Sequence, residues 1–267
     1  MAPPGPVAPP DALPRIARAL DEARAVLRAF PAGQTPAKRK LGGDPVTEAD
    51  LAVDAVLRKL LPRDGEAWLS EETADDPVRL DARRVWVVDP LDGTREFVQG
   101  VPEWCVAVAL VEEGVAVAGG ICNPSTDQVF LGALGHGATL NGAPARVSAR
   151  PQLEGGLVLA SRSESARGEW ARYAASRFRV QAVGSVAYKH ALVAAGLADA
   201  TWTVLPKWEW DVAAGAAIIT AAGGRVALPD GTAPRFNNST PKVPGFVAAP
   251  PALVEDALRL AAAQRGA

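Results

Sequence analysis

Only two histidines and two cysteines occur in the 267 residues of the sequence. Cys105 and Cys122 have no partner at metal-ligand spacing, so a zinc-type centre is not offered; one disulfide stays open, and two free buried thiols in a reducing cytoplasm are expected. His136 falls in a Gly-rich turn and His190 in a helical stretch. Both read as structural residues, which argues against His-based covalent catalysis. Charge of one sign is also missing: the net charge is -2 and the pI near 5.8, giving no general attraction to a nucleic acid polymer or a membrane surface. The basic run Lys38-Arg39-Lys40 is too short to change that and reads as a solvated loop. No apolar run reaches membrane-spanning length. The opening "MAPPGPVAPP" has neither a charged n-region nor an apolar h-region, so it is not a signal peptide, and residues 1–12 are expected to form a disordered Pro-rich tail.

With 48% hydrophobic residues the chain has ample material for a core. Leu13, Ile16, Leu20, Ala23, Leu27 and Phe30 step by three and four, which predicts an amphipathic helix closed by Pro31 and Gly33. A second helix is predicted over 48–61. A β-rich stretch follows, with "WCVAVALV", "VAVAGGIC" and "DQVFLGAL" as strands between turn signals. From about residue 150 strands and helices alternate, with helices predicted over 164–176, 185–195, 211–222 and 251–264. That pattern predicts an α/β half with a mostly parallel sheet. The expected organisation is therefore mixed α+β in two halves, 13–150 and 151–267, meeting near Ala149–Glu154.

The chemistry concentrates in "VWVVDPLDGTREF" (Val85 to Phe97). An apolar strand ends in Asp89, Pro90 forces a rigid turn, and Asp92 returns toward Asp89 with the Leu91 carbonyl facing the same space. Oxygen ligands of this kind suit a hard divalent cation, Mg²⁺ rather than Zn²⁺. Gly93 allows close approach of a ligand, and Thr94 opens a short helix whose amides suit phosphate. Haloacid-dehalogenase-type phosphatases also run an apolar strand into Asp-x-Asp-Gly-Thr, but the position of their aspartyl nucleophile is Pro90 here, which excludes that chemistry. Three other acidic places stand out: Thr47 with Asp50 in "VTEAD", Glu71 and Glu72 in "SEET", and Asp211 in "WEWDVAAG". Taken singly, each also fits a capping box, a solvated acidic loop or a helix N-cap.

Together and in this order, "VTEAD", "SEET", "DPLDGT" and "WDVAAG" resemble the inositol monophosphatase superfamily over nearly the whole chain. The resemblance implies a layered α-β-α-β-α sandwich and hydrolysis of a small phosphate monoester with two or three Mg²⁺ ions, inhibited by Li⁺. It also implies metal ligation by Glu71, Asp89, the Leu91 carbonyl, Asp92 and Asp211. Water would be positioned by Glu71 and Thr94, with Asp50 behind the Thr94 hydroxyl, and the amides of Gly93 and Thr94 would hold the phosphate. Homodimers are common in that family. The acidic residue that grips inositol in its name-giving members corresponds to Val204, which argues against inositol phosphate. "DGTREF", "SRSE" and "GSVAYKHALVAAGLADA" resemble the 3′(2′),5′-bisphosphate nucleotidase branch, although Glu164 stands where that branch has His. On that reading Arg162, Gly184, Ser185, Lys189 and Lys207 contact the substrate, adenosine 3′,5′-bisphosphate. "GVPEWCVAVAL" is similar to histidinol-phosphate phosphatases of the same superfamily, and inositol 1-phosphate and fructose 1,6-bisphosphate are further alternatives. A non-catalytic cation- or nucleotide-binding protein is the alternative of another class; the complete set Glu71, Asp89, Asp92, Thr94 and Asp211 speaks against it.

Overall fold

The computed structural model describes residues 7–39 and 45–265. Its first half runs α1 (Ala12–Leu27), β1 (Ala37–Arg39), β2 (Pro45–Thr47), α2 (Glu48–Leu60), β3 (Glu66–Ser70), β4 (Arg84–Asp92), α3 (Thr94–Gln99), β5 (Cys105–Glu112), β6 (Val115–Asn123), β7 (Gln128–Ala133), β8 (Gly137–Leu140) and β9 (Ala143–Ala145). The second runs β10 (Leu157–Ser161), α4 (Arg162–Ala166), β11 (Arg179–Val183), α5 (Val186–Ala194), β12 (Ala200–Thr203), β13 (Lys207–Trp208), α6 (Glu209–Ala221), β14 (Arg225–Ala227), β15 (Lys242–Val243), β16 (Phe246–Ala249) and α7 (Val254–Arg265).

Strands β3 to β9 form a seven-stranded sheet in sequence order, and β11-β10-β12-β16-β14 a five-stranded one. The large sheet is covered on both faces, which is why β5 is buried at every position. Its side chains divide by the period of two. Val106, Val108 and Leu110 pack with Ile16, Leu20, Val53 and Leu57 of α1 and α2. Ala107, Ala109 and Val111 face the opposite way, into a core shared with α5, α6 and residues Leu159, Phe246 and Ala248 of the small sheet. The outer face of the small sheet is closed by α7 and by Trp170 and Tyr173. The layers are thus helix, sheet, helix, sheet, helix, the architecture the family resemblance implies.

Helix α6 lies between both sheets, so it has no polar face, and its Ala-rich sequence follows from that position. Small residues under it allow a close approach. A Cβ on Gly119 of β6 would stand 2.4 Å from the Ala214 carbonyl oxygen. On the other side Gly215 gives room to His190 of α5, whose ring meets Phe246 edge-on at 4.3 Å. This tight seating fixes where the first turn of α6, and with it Asp211, enters the cleft described below.

Five expectations change. Of the basic run, expected as a solvated loop, Lys38 and Arg39 are exposed, but they belong to β1 and pair antiparallel with Val46 and Pro45 of β2. The small sheet is mixed: β10 pairs in parallel with β11 and β12, but β16 runs antiparallel to β12 and β14. The helix predicted over 164–176 stops at Ala166. Gly168 turns the chain at a φ of +80°, and Trp170 and Tyr173 then bury themselves against Trp202, at 5.0 and 5.7 Å between ring centroids. Aromatic burial outweighs helical continuity there. In the expected tail, Ala8 is buried and its amide donates to the Leu134 carbonyl at 3.2 Å, and Ala12 is buried at the start of α1, so the chain is anchored at both places although Val7 and Pro10 are exposed; residues 1–6 lie outside the described residues, as does Lys40 of the basic run. Strand β4 continues through Pro90 to Asp92, with a register shift between Asp89 and Asp92, so the turn expected at Pro90 is a bulge. Both cysteines are free and buried, and no described helix is long and apolar enough to cross a membrane.

Neither ring nitrogen of the buried His190 has a hydrogen-bond partner among the described residues, and burial brings its pKa down to about 3. Below pH 6.5 the unfolded chain therefore takes up a proton that the folded chain refuses, and stability falls as pH falls toward 3. His190→Leu should remove up to about 1.4 kcal/mol of stability loss per pH unit in that window, read by urea unfolding at pH 7 and pH 5.5. Parallel losses in the variant and the wild type would contradict a neutral buried imidazole.

Candidate active site

The bulge at the end of β4 re-aims the chain so that Asp89, Leu91 and Asp92 all line one cleft of about 300 Å³. Asp89 Oδ1 accepts the Leu91 amide at 3.0 Å. Asp92 Oδ2 accepts the Ser185 hydroxyl at 2.7 Å and the Ala187 amide at 2.6 Å. Gly93 follows at a φ of +95°, and Thr94 starts α3. The Thr94 hydroxyl lies 3.1 Å from Asp50 Oδ1 and 3.0 Å from the Leu91 carbonyl oxygen. Asp50 is fixed in turn by the capping box of α2: its Oδ2 accepts the Thr47 amide at 2.8 Å and the Thr47 hydroxyl at 2.6 Å. Asp50 sits behind Thr94 and does not line the cleft.

Glu71 enters from the turn after β3. That turn is pinned by Asp54, which accepts the hydroxyls of Ser70 at 2.5 Å and Thr73 at 2.7 Å. Asp211 enters from the opposite side, in the first turn of α6. It was expected to cap that helix; instead Trp208 holds the N-cap position and Asp211 reaches back to the Trp208 amide at 3.3 Å.

Glu71, Asp89, Asp92 and Asp211 thus line one cleft, and their electrostatics are unfavourable as they stand. Burial first, then the charges of Glu71, Asp92 and Asp211, push Asp89 well above the usual carboxylate range. Burial and the charges of Asp92 and Glu71 do the same to Asp211. Burial also raises Asp92, against the pull of its Ser185 and Ala187 bonds and of Lys189 and Lys207. Among the described residues, no three acidic, His or Cys side chains stand close enough to enclose an ion as placed; Asp89 and Asp92 accept from amide and hydroxyl donors of the protein. The donor set is nonetheless all oxygen and in electrostatic deficit, which fits a hard divalent cation and no soft one.

The cleft's other wall carries Arg162, Gly184, Ser185, Lys189 and Lys207. Two of the three cations are already engaged. Arg162 pairs with both carboxylate oxygens of Glu103 at 2.6 Å. Lys189 is buried, donates to the carbonyls of Val183 at 3.3 Å and Ser185 at 2.5 Å, and is brought down to about 8 by burial. Both were expected to be open to a phosphate, and the structure instead gives each a partner in the protein. The departure at Glu164 lies outside the cleft: Glu164 is buried, accepting from Trp170 Nε1 at 3.0 Å and from the Thr203 hydroxyl at 2.5 Å.

Sequence reasoning missed Glu103, which also accepts the Gly184 amide at 2.6 Å, and Asp54. Asp54 was discoverable as an acid four residues after Asp50 on the apolar side of α2. Glu103 had no local signal, since its partners lie in the other half of the chain. Trp208 and Trp210 also line the cleft, stacked at 4.7 Å and 10°, with Lys242 Nζ 3.8 Å from the Trp208 ring centroid.

Residues 15–266 match the family model described as the inositol monophosphatase family. A histidinol-phosphatase of Mycobacterium tuberculosis is 38% identical over 71% of this chain and 76% of its own. A 3′-phosphoadenosine 5′-phosphate phosphatase of Mycobacterium leprae is 36% identical over 69% of each chain. The solved structure of Thermotoga maritima IMPase superposes with a TM-score of 0.83 at 27% identity, over 96% of this chain and 98% of its own. The chain belongs to the inositol monophosphatase family. It is a phosphoric monoester hydrolase of a metal-dependent family.

A Cβ on Gly93 would lie 2.9 Å from the Glu103 carbonyl oxygen and 3.1 Å from Trp104 Cα, both backbone atoms, at a φ that side chains rarely adopt. Gly93→Ala should cost about 1–3 kcal/mol and, by displacing Glu103 and the Thr94 amide, lower kcat/KM at least tenfold. Wild-type kcat/KM in a folded variant would show that the close approach does not serve the site.

Proposed function

We propose that this protein hydrolyses a small phosphate monoester with Mg²⁺, and that a 3′,5′-bisphosphate nucleotide is its substrate. The observation that carries the reaction type is the set of mutually repelling carboxylates Glu71, Asp89, Asp92 and Asp211 in one cleft with Thr94 and Asp50 behind it. Asp89, Asp92, Asp211, Glu71 and the Leu91 carbonyl would hold two or three ions. When bound, Mg²⁺ neutralises the phosphate dianion and lowers the pKa of water at the site.

The chain's own residues supply orientation. With Asp50 Oδ2 taken up by Thr47, its Oδ1 is left to accept the Thr94 proton, so the Thr94 oxygen presents its lone pairs to a water in the cleft. Glu71 takes the second proton of that water as its oxygen bonds to phosphorus; the P–O ester bond breaks on the opposite side, and the leaving alkoxide takes its proton from solvent water in the cleft. The Gly93 and Thr94 amides face the phosphate, and Lys207 adds positive charge beside it.

The substrate reading rests on the basic wall of Arg162, Lys189 and Lys207, with Trp208 and Trp210 beside it in the cleft lining. One observation favours a second reading, histidinol phosphate or another single-phosphate ester: Arg162 is ion-paired with Glu103 and Lys189 donates to two backbone carbonyls, which leaves fewer free donors for a second phosphate.

Phosphate release with Mg²⁺, with and without Li⁺, from adenosine 3′,5′-bisphosphate, histidinol phosphate, inositol 1-phosphate and fructose 1,6-bisphosphate separates these. The nucleotide should give the highest kcat/KM, lost with Li⁺. Preference for histidinol phosphate would keep the mechanism and overturn the nucleotide reading. Release from none of the four would count against both.

A further inference from the structure

Glu71 and Asp211 reach the cleft from opposite halves of the chain, and their separation depends on how the segment after β3 sits against the start of α6. Outside the cleft a buried polar network joins these two places. Arg79, 2% exposed, lies on a short 3-10 turn over Pro77–Asp81. Its Nε and Nη2 donate to the two Asp75 carboxylate oxygens at 2.5 and 2.9 Å, which folds the segment following Glu71 onto itself. Its Nη1 donates to Asn237 Oδ1 at 2.7 Å and its Nη2 to the Asn238 carbonyl at 3.0 Å. Asn237 Nδ2 answers with a bond to the Arg79 carbonyl at 3.0 Å.

On the far side, Glu209 is 0% exposed and opens α6. It accepts the Asn237 amide at 2.6 Å, the Asn238 amide at 2.9 Å and Asn238 Nδ2 at 2.6 Å. Asn237 holds a φ of +63°, a conformation Asn tolerates better than most residues, and this turns both of its faces to use. A guanidinium and a carboxylate are thus buried together through two asparagines. Burying charge in this way is expensive, and apolar side chains would serve mere packing at least as well. What the arrangement supplies is directional: sliding the Glu71 segment against α6 breaks several charge-assisted bonds at once.

We propose that Arg79, Asn237, Asn238 and Glu209 form a strut that sets the separation of Glu71 and Asp211, and with it the affinity of the cleft for Mg²⁺. They are positioning residues that act through the carboxylates, and the inference rests on the metal-dependent reading above.

The test compares wild type, Glu209→Gln and Arg79→Lys with Leu253→Ala, a truncation in the outer core that lowers stability away from the cleft. Three quantities are read on the full-length protein: Tm, the calorimetric Kd for Mg²⁺, and the Mg²⁺ concentration giving half the maximal rate. Both strut variants should raise the Kd and the half-saturating Mg²⁺ about tenfold or more, with kcat recovering at saturating Mg²⁺. Leu253→Ala should lower Tm and leave the Kd unchanged. Should Glu209→Gln fail to fold, Arg79→Lys retains the charge and carries the comparison. Variants that lose Tm but bind Mg²⁺ as wild type does would overturn the strut alone. A wild type that neither binds Mg²⁺ nor releases phosphate would overturn the metal-dependent reading and the strut with it.

Discussion

The repulsion among Glu71, Asp89, Asp92 and Asp211 is the constraint to which the surrounding structure answers. Burial and the neighbouring carboxylates raise Asp89 and Asp211, burial raises Asp92, and such a cluster opposes folding unless something holds it in place. Each is held by a different device. Asp89 has the amide at the bulge, Asp92 the start of α5, Asp211 the amide of its own helix start, and Glu71 a turn pinned by Asp54. None of these devices works unless the layers beneath are rigid. The close seating of α6 on Gly119, and of α5 and α6 on each other, supplies that rigidity.

Much of this was legible because the same residues carry both local and catalytic signals. Asp89 and Asp92 end an apolar strand, and Thr47 with Asp50 reads as a capping box, which it is, while Asp50 also reaches Thr94. The apolar periodicity of α1 and α2 gave their positions because each buries one face only. The failures have physical causes as well. The strand directions of the small sheet are set by crossovers that no local pattern encodes. The helix over 164–176 was lost to the burial of Trp170 and Tyr173 around Trp202. Glu103 and the Arg79–Glu209 network connect positions far apart in the chain, and a charged residue in a single sequence carries no sign that its partner lies there.

The two ends of the cleft differ in how much they define. The acidic end carries the motifs on which the family resemblance rests, and the proposed reaction is placed there. The other wall, with Arg162, Lys189, Lys207 and the stacked tryptophans, is where the proposed function places the choice of substrate. The pairing of Arg162 with Glu103 makes that wall less basic than its sequence suggests. A second phosphate would have to displace Glu103 or bind beside it, which turns the choice between nucleotide and single-phosphate ester into a question of local electrostatics.

The central claim is that the carboxylate cluster is compensated by cations. The most direct measurement is the Tm of wild type and Asp89→Asn, each without metal and with millimolar Mg²⁺. The account predicts that Asp89→Asn melts at or above the metal-free wild type, since a repelling charge is gone, and that its activity falls by orders of magnitude. It also predicts that Mg²⁺ raises Tm in the wild type, by about 2.7 kcal/mol of added stability at 100 times its Kd, and far less in the variant. A wild-type Tm unmoved by millimolar Mg²⁺, or an equal rise in both proteins, would contradict it.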